Sequence, residues 1–323
     1  MTTLEPVPDR VAPDEIAAAT AWARALQAAV HAAAEVRDDV LADLLTCIVA
    51  EGHVLIEDLP GVGKTTLARS LAKATGLQFA RIQCTADLLP ADVVGTNVYN
   101  RREERFEFRP GPIFANVVLV DEVNRASPKT QSGLLECMQE RRVTVDVFSH
   151  ELARPFVVLA TQNPVEFEGT YPLPEAQVDR FMARFSLGYP SSSAEAAMLR
   201  AHEAGDRVDG VEPVGDPGDL LAAQDAARRI HTADALRSYV VSLLTRTRED
   251  PRTELGASPR SGLMLLRAAK ARALLQGRDH ALPDDVQALA GAVLTHRVVL
   301  APDALDASAD EVVADAVAAT PAF

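Results

Sequence analysis

The segment Asp58-Leu59-Pro60-Gly61-Val62-Gly63-Lys64-Thr65-Thr66 lies between a short apolar run, His53–Glu57, and a helical pattern over Thr65–Thr75 that ends at Gly76. A glycine-rich turn that links a buried strand to a helix and closes in Lys-Thr reads as a P-loop. Its backbone N–H groups curl around phosphate, and the helix N-terminus adds partial positive charge. In this reading Lys64 reaches the β- and γ-phosphates and the Thr65 hydroxyl holds Mg²⁺. Asp58 stands where the strict GxxxxGK[ST] pattern has its first glycine. The loop also constrains architecture, because a buried strand feeding a helix belongs to a parallel sheet covered on both faces.

The chain keeps that alternation up to about residue 190. Phe79–Gln83, Asn116–Val120 and Phe156–Ala160 read as strands. Ser127-Pro128 opens a helix, with an N-cap followed by proline at the first helical position. Ahead of the loop, Ile16, Trp22, Leu26 and Val30 recur at helical spacing within Asp14–Val36, and a second helix spans Asp38–Glu51. The pattern changes near Tyr189-Pro190-Ser191-Ser192-Ser193. Residues 204–219, rich in Gly, Asp and Pro, read as a loop, and helices follow at 219–229, 233–248, 259–276 and 283–294. The expected organisation is a loose leader over 1–13, an α/β core over 14–190 and a helical domain over 191–323. The last ~20 residues carry no clear pattern.

Val117-Val118-Leu119-Val120-Asp121-Glu122 ends a buried run with two carboxylates, at the end of a strand where open α/β sheets hold ligands. Asp121 suits a carboxylate that holds Mg²⁺ through its bound water, and Glu122 suits a base or positioner for an attacking water. The next apolar run ends in Thr161-Gln162-Asn163-Pro164, where the amide of Asn163 can orient the same water; Asn-Pro is equally an ordinary turn former. Arg101-Arg102-Glu103-Glu104-Arg105, followed by Phe106-Glu107-Phe108-Arg109, reads as a hairpin with a charged tip within an insertion over about 95–112.

Composition removes several classes. The 323 residues carry 32 Lys+Arg against 46 Asp+Glu, a net charge of −14. That balance opposes non-specific binding to nucleic acid or anionic lipid. A 48% hydrophobic content excludes global disorder. Cys47, Cys84 and Cys137 form no CxxC pair and read as reduced, buried small hydrophobes, and the histidines lack metal-site spacing. No segment approaches ~18 uninterrupted apolar residues, so the expectation is a soluble, cytoplasmic protein without direct membrane insertion.

The order of these motifs resembles the MoxR family of AAA+ ATPases, over about Glu51 to Arg297. The most specific stretches are Gly52-His53-Val54-Leu55-Ile56-Glu57-Asp58, Phe108-Arg109-Pro110-Gly111-Pro112-Ile113-Phe114-Ala115-Asn116, Asp121-Glu122-Val123-Asn124-Arg125-Ala126 and Gly169-Thr170-Tyr171-Pro172-Leu173-Pro174-Glu175-Ala176-Gln177-Val178-Asp179-Arg180-Phe181. Many members also carry Asp at position 58. The resemblance implies a P-loop NTPase core with a C-terminal all-helical lid, and ATP and Mg²⁺ bound in a cleft between them. It implies nucleotide contacts from Pro60, Gly61, Val62, Gly63, Lys64, Thr65 and Thr66, metal contacts from Thr65 and Asp121, and catalytic work by Lys64 and Glu122. Asn163 matches sensor 1. Arg180 matches the arginine finger offered to a neighbouring subunit, with Arg184, one turn on, as the weaker candidate. Arg260 in Ala257-Ser258-Pro259-Arg260 matches sensor 2. Val36-Arg37 replaces a Gly-Gln pair that lines the adenine site in many members.

The function so implied is an ATP-hydrolysing, chaperone-like ring, most simply a homo-hexamer, that remodels or matures client proteins by cofactor insertion or complex assembly. Clients are often reached through a protein with a von Willebrand factor A domain. A DNA-acting AAA+ motor or loader is the alternative, and the charge of −14 opposes it. A nucleotide-gated scaffold that barely hydrolyses ATP is a third reading. A core and a lid leave little of the chain for a dedicated client domain, so the client is expected to meet the 95–112 insertion or an adaptor.

Overall fold

Apolar runs such as Val117–Val120 have no polar face, so they form stable strands only with cover on both sides. The computed structural model, which describes residues 10–165, 169–189 and 207–322 together with Ser192 and Glu195, builds them into one sheet. In chain order the first elements are α1 (Pro13–His31), α2 (Asp38–Val49), β1 (Val54–Glu57), α3 (Lys64–Ala74), β2 (Phe79–Gln83), α4 (Pro90–Val94), β3 (Gly95–Asn100), β4 (Arg105–Pro110) and β5 (Val117–Asp121). There follow α5 (Pro128–Glu140), β6 (Arg142–Val145), β7 (Phe148–Glu151), β8 (Val157–Gln162), α6 (Glu175–Val178) and β9 (Ala183–Phe185). The sheet runs β2-β5-β8-β1-β9, and every pairing in it is parallel.

β8 sits between β5 and β1, with Leu119 opposite Leu159 and Leu55 opposite Ala160. Val117–Val120 and Val157–Ala160 are completely buried. Each such Val or Leu contributes ~1.5–3 kcal/mol by leaving water. The pairing leaves the C-terminal ends of β1, β2, β5 and β8 at one edge of the sheet. Glu57 is opposite Gln162, and Gln83 is opposite Asp121. That edge carries the candidate site.

Two antiparallel hairpins leave this core. β3 and β4 pair from Gly95–Pro110 out to Asn100–Arg105, as the charged insertion suggested. Gly95 is obligatory at its base: its φ is +94°, and a Cβ there would lie 2.2 Å from the Arg109 carbonyl oxygen. The second hairpin, β6 with β7, was not expected from sequence. Its tight turn uses Asp146 at φ +57° and Val147, which is not one of the strong Asn-Gly or Asp-Gly signals. Asn97 donates to Asp146 at 2.8 Å, which ties the two hairpins together.

The chain forms two compact units, Ala25–Pro217 and a second made of the residues up to Arg24 with those from Gly218 onward. These limits differ from the expected core of 14–190 and helical domain of 191–323. Residues 207–217 stay with the first unit: Lys73 Nζ donates to the carbonyls of Val208 and Asp209, and Val214 N to Ala74 O. The first half of α1 belongs to the second unit, where Glu15 pairs with Arg229 and the Thr20 hydroxyl donates to Leu274 O at 3.0 Å. The expected boundary at 190/191, the first nine residues of the leader and the start of the 204–219 loop lie outside the described residues.

The second unit adds α7 (Pro217–Arg229), α8 (Asp234–Glu249), β10 (Thr253–Leu255), α9 (Pro259–Leu275), α10 (Pro283–Leu294), β11 (Val299–Leu300) and α11 (Ala309–Ala319). It is helical, as expected, with one short antiparallel ribbon, β10 with β11. Ser258 caps α9 by accepting from Ser261 N at 3.2 Å, and Pro259 follows it. α11 forms from the acidic, Ala-rich stretch that had no clear pattern; Ser308 and Glu311 close its capping box. No helix among the described residues is long and apolar enough to cross a membrane.

Candidate active site

The P-loop leaves β1 and enters α3. Gly61 and Gly63 have φ of +89° and +90°, which side chains rarely adopt, so these two glycines are required by backbone shape. A Cβ on either would meet no atom within 4 Å, so the loop presents an open backbone surface. Asp58 needs no such freedom. It is buried, and its carboxylate accepts from the Ser186 hydroxyl at 2.8 Å, Leu187 N at 2.5 Å and Gly188 N at 3.2 Å. The residue that departs from the strict motif therefore clamps the exit of β1 to the exit of β9. Pro60 is exposed, Val62 is buried, and Thr65 and Thr66 are half-buried in the first turn of α3.

Lys64 Nζ donates to the Asp58 carbonyl at 2.9 Å. Burial pulls its pKa below the ordinary lysine value, and Asp121, Asp58 and Glu122 act in the opposite direction. Lys64 and the acidic pair thus share one electrostatic neighbourhood, although β8 separates their strands.

The acidic pair is held by Thr161, a fully buried residue on β8. Its hydroxyl donates to Asp121 Oδ1 at 2.6 Å and accepts from Glu122 N at 2.9 Å. Glu122 itself is left-handed, φ 56° and ψ 52°, a conformation that costs a non-glycine residue ~1–2 kcal/mol. The Thr161 bond helps to offset that cost, and the bend turns Glu122 away from the direction of β5. The Glu122 carboxylate meets Gln83 Nε2 at 3.2 Å and Arg125 Nε at 3.3 Å. Asp121 also accepts from Arg81.

Asn163 follows β8, at the same edge. Its side-chain oxygen accepts from Val165 N at 3.1 Å, the turn-forming use of Asn-Pro. Arg180 lies just past α6, with a buried Nε that has no hydrogen-bond partner among the described residues. Arg184 is committed to Glu57 at 3.1 Å, inside its own unit. Gln131 Nε2 donates to the carbonyls of Val123 and Tyr171, and Tyr171 N to Asn124 O; these bonds anchor the segment leading to Arg180. Arg37, half of the expected adenine segment Val36-Arg37, precedes the first turn of α2 and pairs with Asp39 at 3.1 Å. Arg260 belongs to the second unit, half-buried in the first turn of α9.

No group of three or more His, Cys, Asp and Glu among the described residues forms a metal cage. One carboxylate and one hydroxyl nevertheless suit Mg²⁺, which keeps several waters and takes much of its coordination from substrate phosphates. The three cysteines are buried and form no disulfide among the described residues, and burial pushes the Cys84 and Cys137 thiols up to about 12.

The ATPase family associated with various cellular activities (AAA) matches residues 53–183, and the AAA lid domain matches residues 245–316. Chaperone MoxR1 of Mycobacterium tuberculosis is 41% identical over 285 residues, covering 85% of this chain and 74% of its own. Protein MoxR of Methylorubrum extorquens is 33% identical, covering 82% of this chain and 84% of its own. The chain is a MoxR-family AAA+ ATPase. The uncharacterised YeaC protein of Bacillus subtilis is 50% identical over 80% of this chain and 81% of its own. A crystal structure from Cytophaga hutchinsonii, named as a candidate ATPase, superposes with a TM-score of 0.88 at 35% identity, covering 96% of this chain and 97% of that one.

Among the residues that build this MoxR-family site, sequence reasoning missed Thr161, Arg81 and Gln83. Thr161 had a signal, since it is the polar residue that ends the buried run Val157–Ala160. Arg81 and Gln83 had none, because their role depends on β2 pairing with β5.

Proposed function

We propose that this ATPase drives remodelling or maturation of a client protein, and that the edge formed by β1, β5 and β8 is where it hydrolyses ATP. The observation that carries this reading is the Thr161 hydroxyl, which fixes Asp121 and the bent Glu122 together in the electrostatic neighbourhood of Lys64. The open amide surface of residues 61–66 receives the phosphates beside Pro60, and Lys64 neutralises them. Thr65 and Asp121 would hold Mg²⁺, which when bound would neutralise charge developing on the phosphates. Glu122 takes the proton of the attacking water on its carboxylate, and Asn163 positions that water. Arg180 acts on a neighbouring subunit's nucleotide, which requires a ring, most simply a hexamer. Arg260 takes the lid-sensor role that its motif implies.

The hairpins support contact with a protein client. At the tips Phe106 is 71% and Phe148 63% exposed, and Tyr99 packs edge-on to Phe106 at 5.3 Å. Exposed aromatics near the ends of both hairpins suit an apolar, sequence-tolerant grip. The client is reached there directly or through an adaptor with a von Willebrand factor A domain.

Glu122→Gln tests the chemistry. It should retain ATP binding and lower turnover ~10²–10⁴-fold, the range for removal of a general base. Turnover at the parental rate would refute the role of Glu122. The same variant, held in the ATP state, should retain client during purification, and Phe106→Ser with Phe148→Ser should abolish that retention.

A further inference from the structure

Both carboxylate oxygens of Asp121 are engaged within the protein. Oδ1 accepts from Thr161, and Oδ2 accepts from Nη2 of Arg81, which stands on the neighbouring strand β2. The same Nη2 donates to Gln83 Oε1 at 2.6 Å, and Gln83 donates onward to Glu122 Oε2 at 3.2 Å. The two partners of the ion pair differ in mobility. Asp121 is 14% exposed and held from both sides, whereas Arg81 is 46% exposed on a flexible stem. A guanidinium and a divalent cation that both draw on Oδ2 repel each other, so the arrival of one weakens the hold of the other. Arg81 is the one free to move, and Gln83 Oε1 offers it a second acceptor.

We propose that Arg81 is the resident counter-ion of Asp121 and competes with the divalent cation that accompanies the nucleotide. Arg81 then acts as a positioning residue that sets the Mg²⁺ concentration at which nucleotide is bound. It holds the carboxylate in place and neutralised before nucleotide arrives, and it opposes premature occupation by the metal. This rests on the reading of Asp121 as the metal-side carboxylate.

The test is a Mg²⁺ titration of the binding of a fluorescent ATP analogue to the full chain, comparing wild type, Arg81→Gln and Arg81→Lys. Arg81→Gln should lower the half-saturating Mg²⁺ about three- to tenfold, as expected for removing a half-exposed charged competitor. Arg81→Lys keeps the charge but not the forked donor, and should shift it about two- to threefold. Both variants should bind the analogue within about twofold of wild type at saturating Mg²⁺ and keep the melting temperature, because a half-exposed pair contributes little to stability. An unchanged or raised half-point in the folded variants overturns the proposal. So does a large loss of affinity at saturating Mg²⁺, which would assign Arg81 to the phosphates instead. If wild type itself binds the analogue without regard to Mg²⁺, the metal role of Asp121 fails and the proposal falls with it. Arg81→Lys, the milder change, decides the matter if Arg81→Gln does not fold.

Discussion

Replacing Thr161 with Val keeps the shape of a fully buried side chain and removes only the hydroxyl. Two bonds go with it: the 2.6 Å bond donated to Asp121 and the 2.9 Å bond accepted from Glu122 N. The first is charge-assisted and worth ~1.5–3 kcal/mol net, and the second ~0.5–1.5 kcal/mol. The extra methyl returns ~0.8 kcal/mol, so Thr161→Val should destabilise the fold by about 1–4 kcal/mol. The larger effect should be on turnover. Glu122 is left-handed, at a cost of ~1–2 kcal/mol, and without an acceptor for its N–H the bend that aims its carboxylate loses support. Misplacement of this kind costs one to two orders of magnitude in kcat. Thr161→Ser is the control. It keeps the hydroxyl and loses a buried methyl, worth ~1 kcal/mol of stability, with kcat near the parental value. Urea denaturation and steady-state phosphate release measure the two quantities on the same preparations. The reasoning fails if Thr161→Val turns over within about twofold of wild type, or if Thr161→Ser is equally impaired.

Asp58→Gly restores the strict phosphate-loop pattern yet should destabilise the protein by about 2–4 kcal/mol, because three hydrogen bonds to a buried carboxylate are lost; a denaturation midpoint equal to wild type would refute the clamp. Mixing Arg180→Ala with Lys64→Ala subunits should recover part of the ATPase activity that each lacks alone, and no recovery would count against Arg180 acting across subunits. The Cys84 and Cys137 thiols, raised to about 12 by burial and neighbouring carboxylates, stay protonated through neutral and mildly alkaline pH. The folded protein at pH 8 should therefore react slowly with a disulfide reagent and rapidly once denatured, and a fast native reaction at these positions would overturn their burial.

Where local signals were complete, sequence and structure coincide. β2 spans the expected Phe79–Gln83 and α10 the expected 283–294. The P-loop context and the acidic pair at the end of β5 were equally plain, because each depends on a few adjacent residues. The β6–β7 hairpin was missed because its turn residues are not the glycine-bearing ones that announce such turns. The helix at the C-terminal end was missed because its Ala-rich run has a weak pattern, and a capping box only becomes visible once the fold shows which Ser starts it.

The amino-acid sequence alone determined the parallel α/β core, the helical second unit, the phosphate loop and its acidic partners, since strand burial, glycine shape and helix capping are local. Tertiary structure alone decided which groups meet. Thr161, Arg81 and Gln83 reach the acidic pair only because β8 and β2 flank β5. Arg184 is taken by Glu57 because β9 lies beside β1, and the first half of α1 joins the C-terminal unit because its partners lie more than two hundred positions along the chain. Periodicity reports that a face will be buried, whereas strand order and packing choose what buries it.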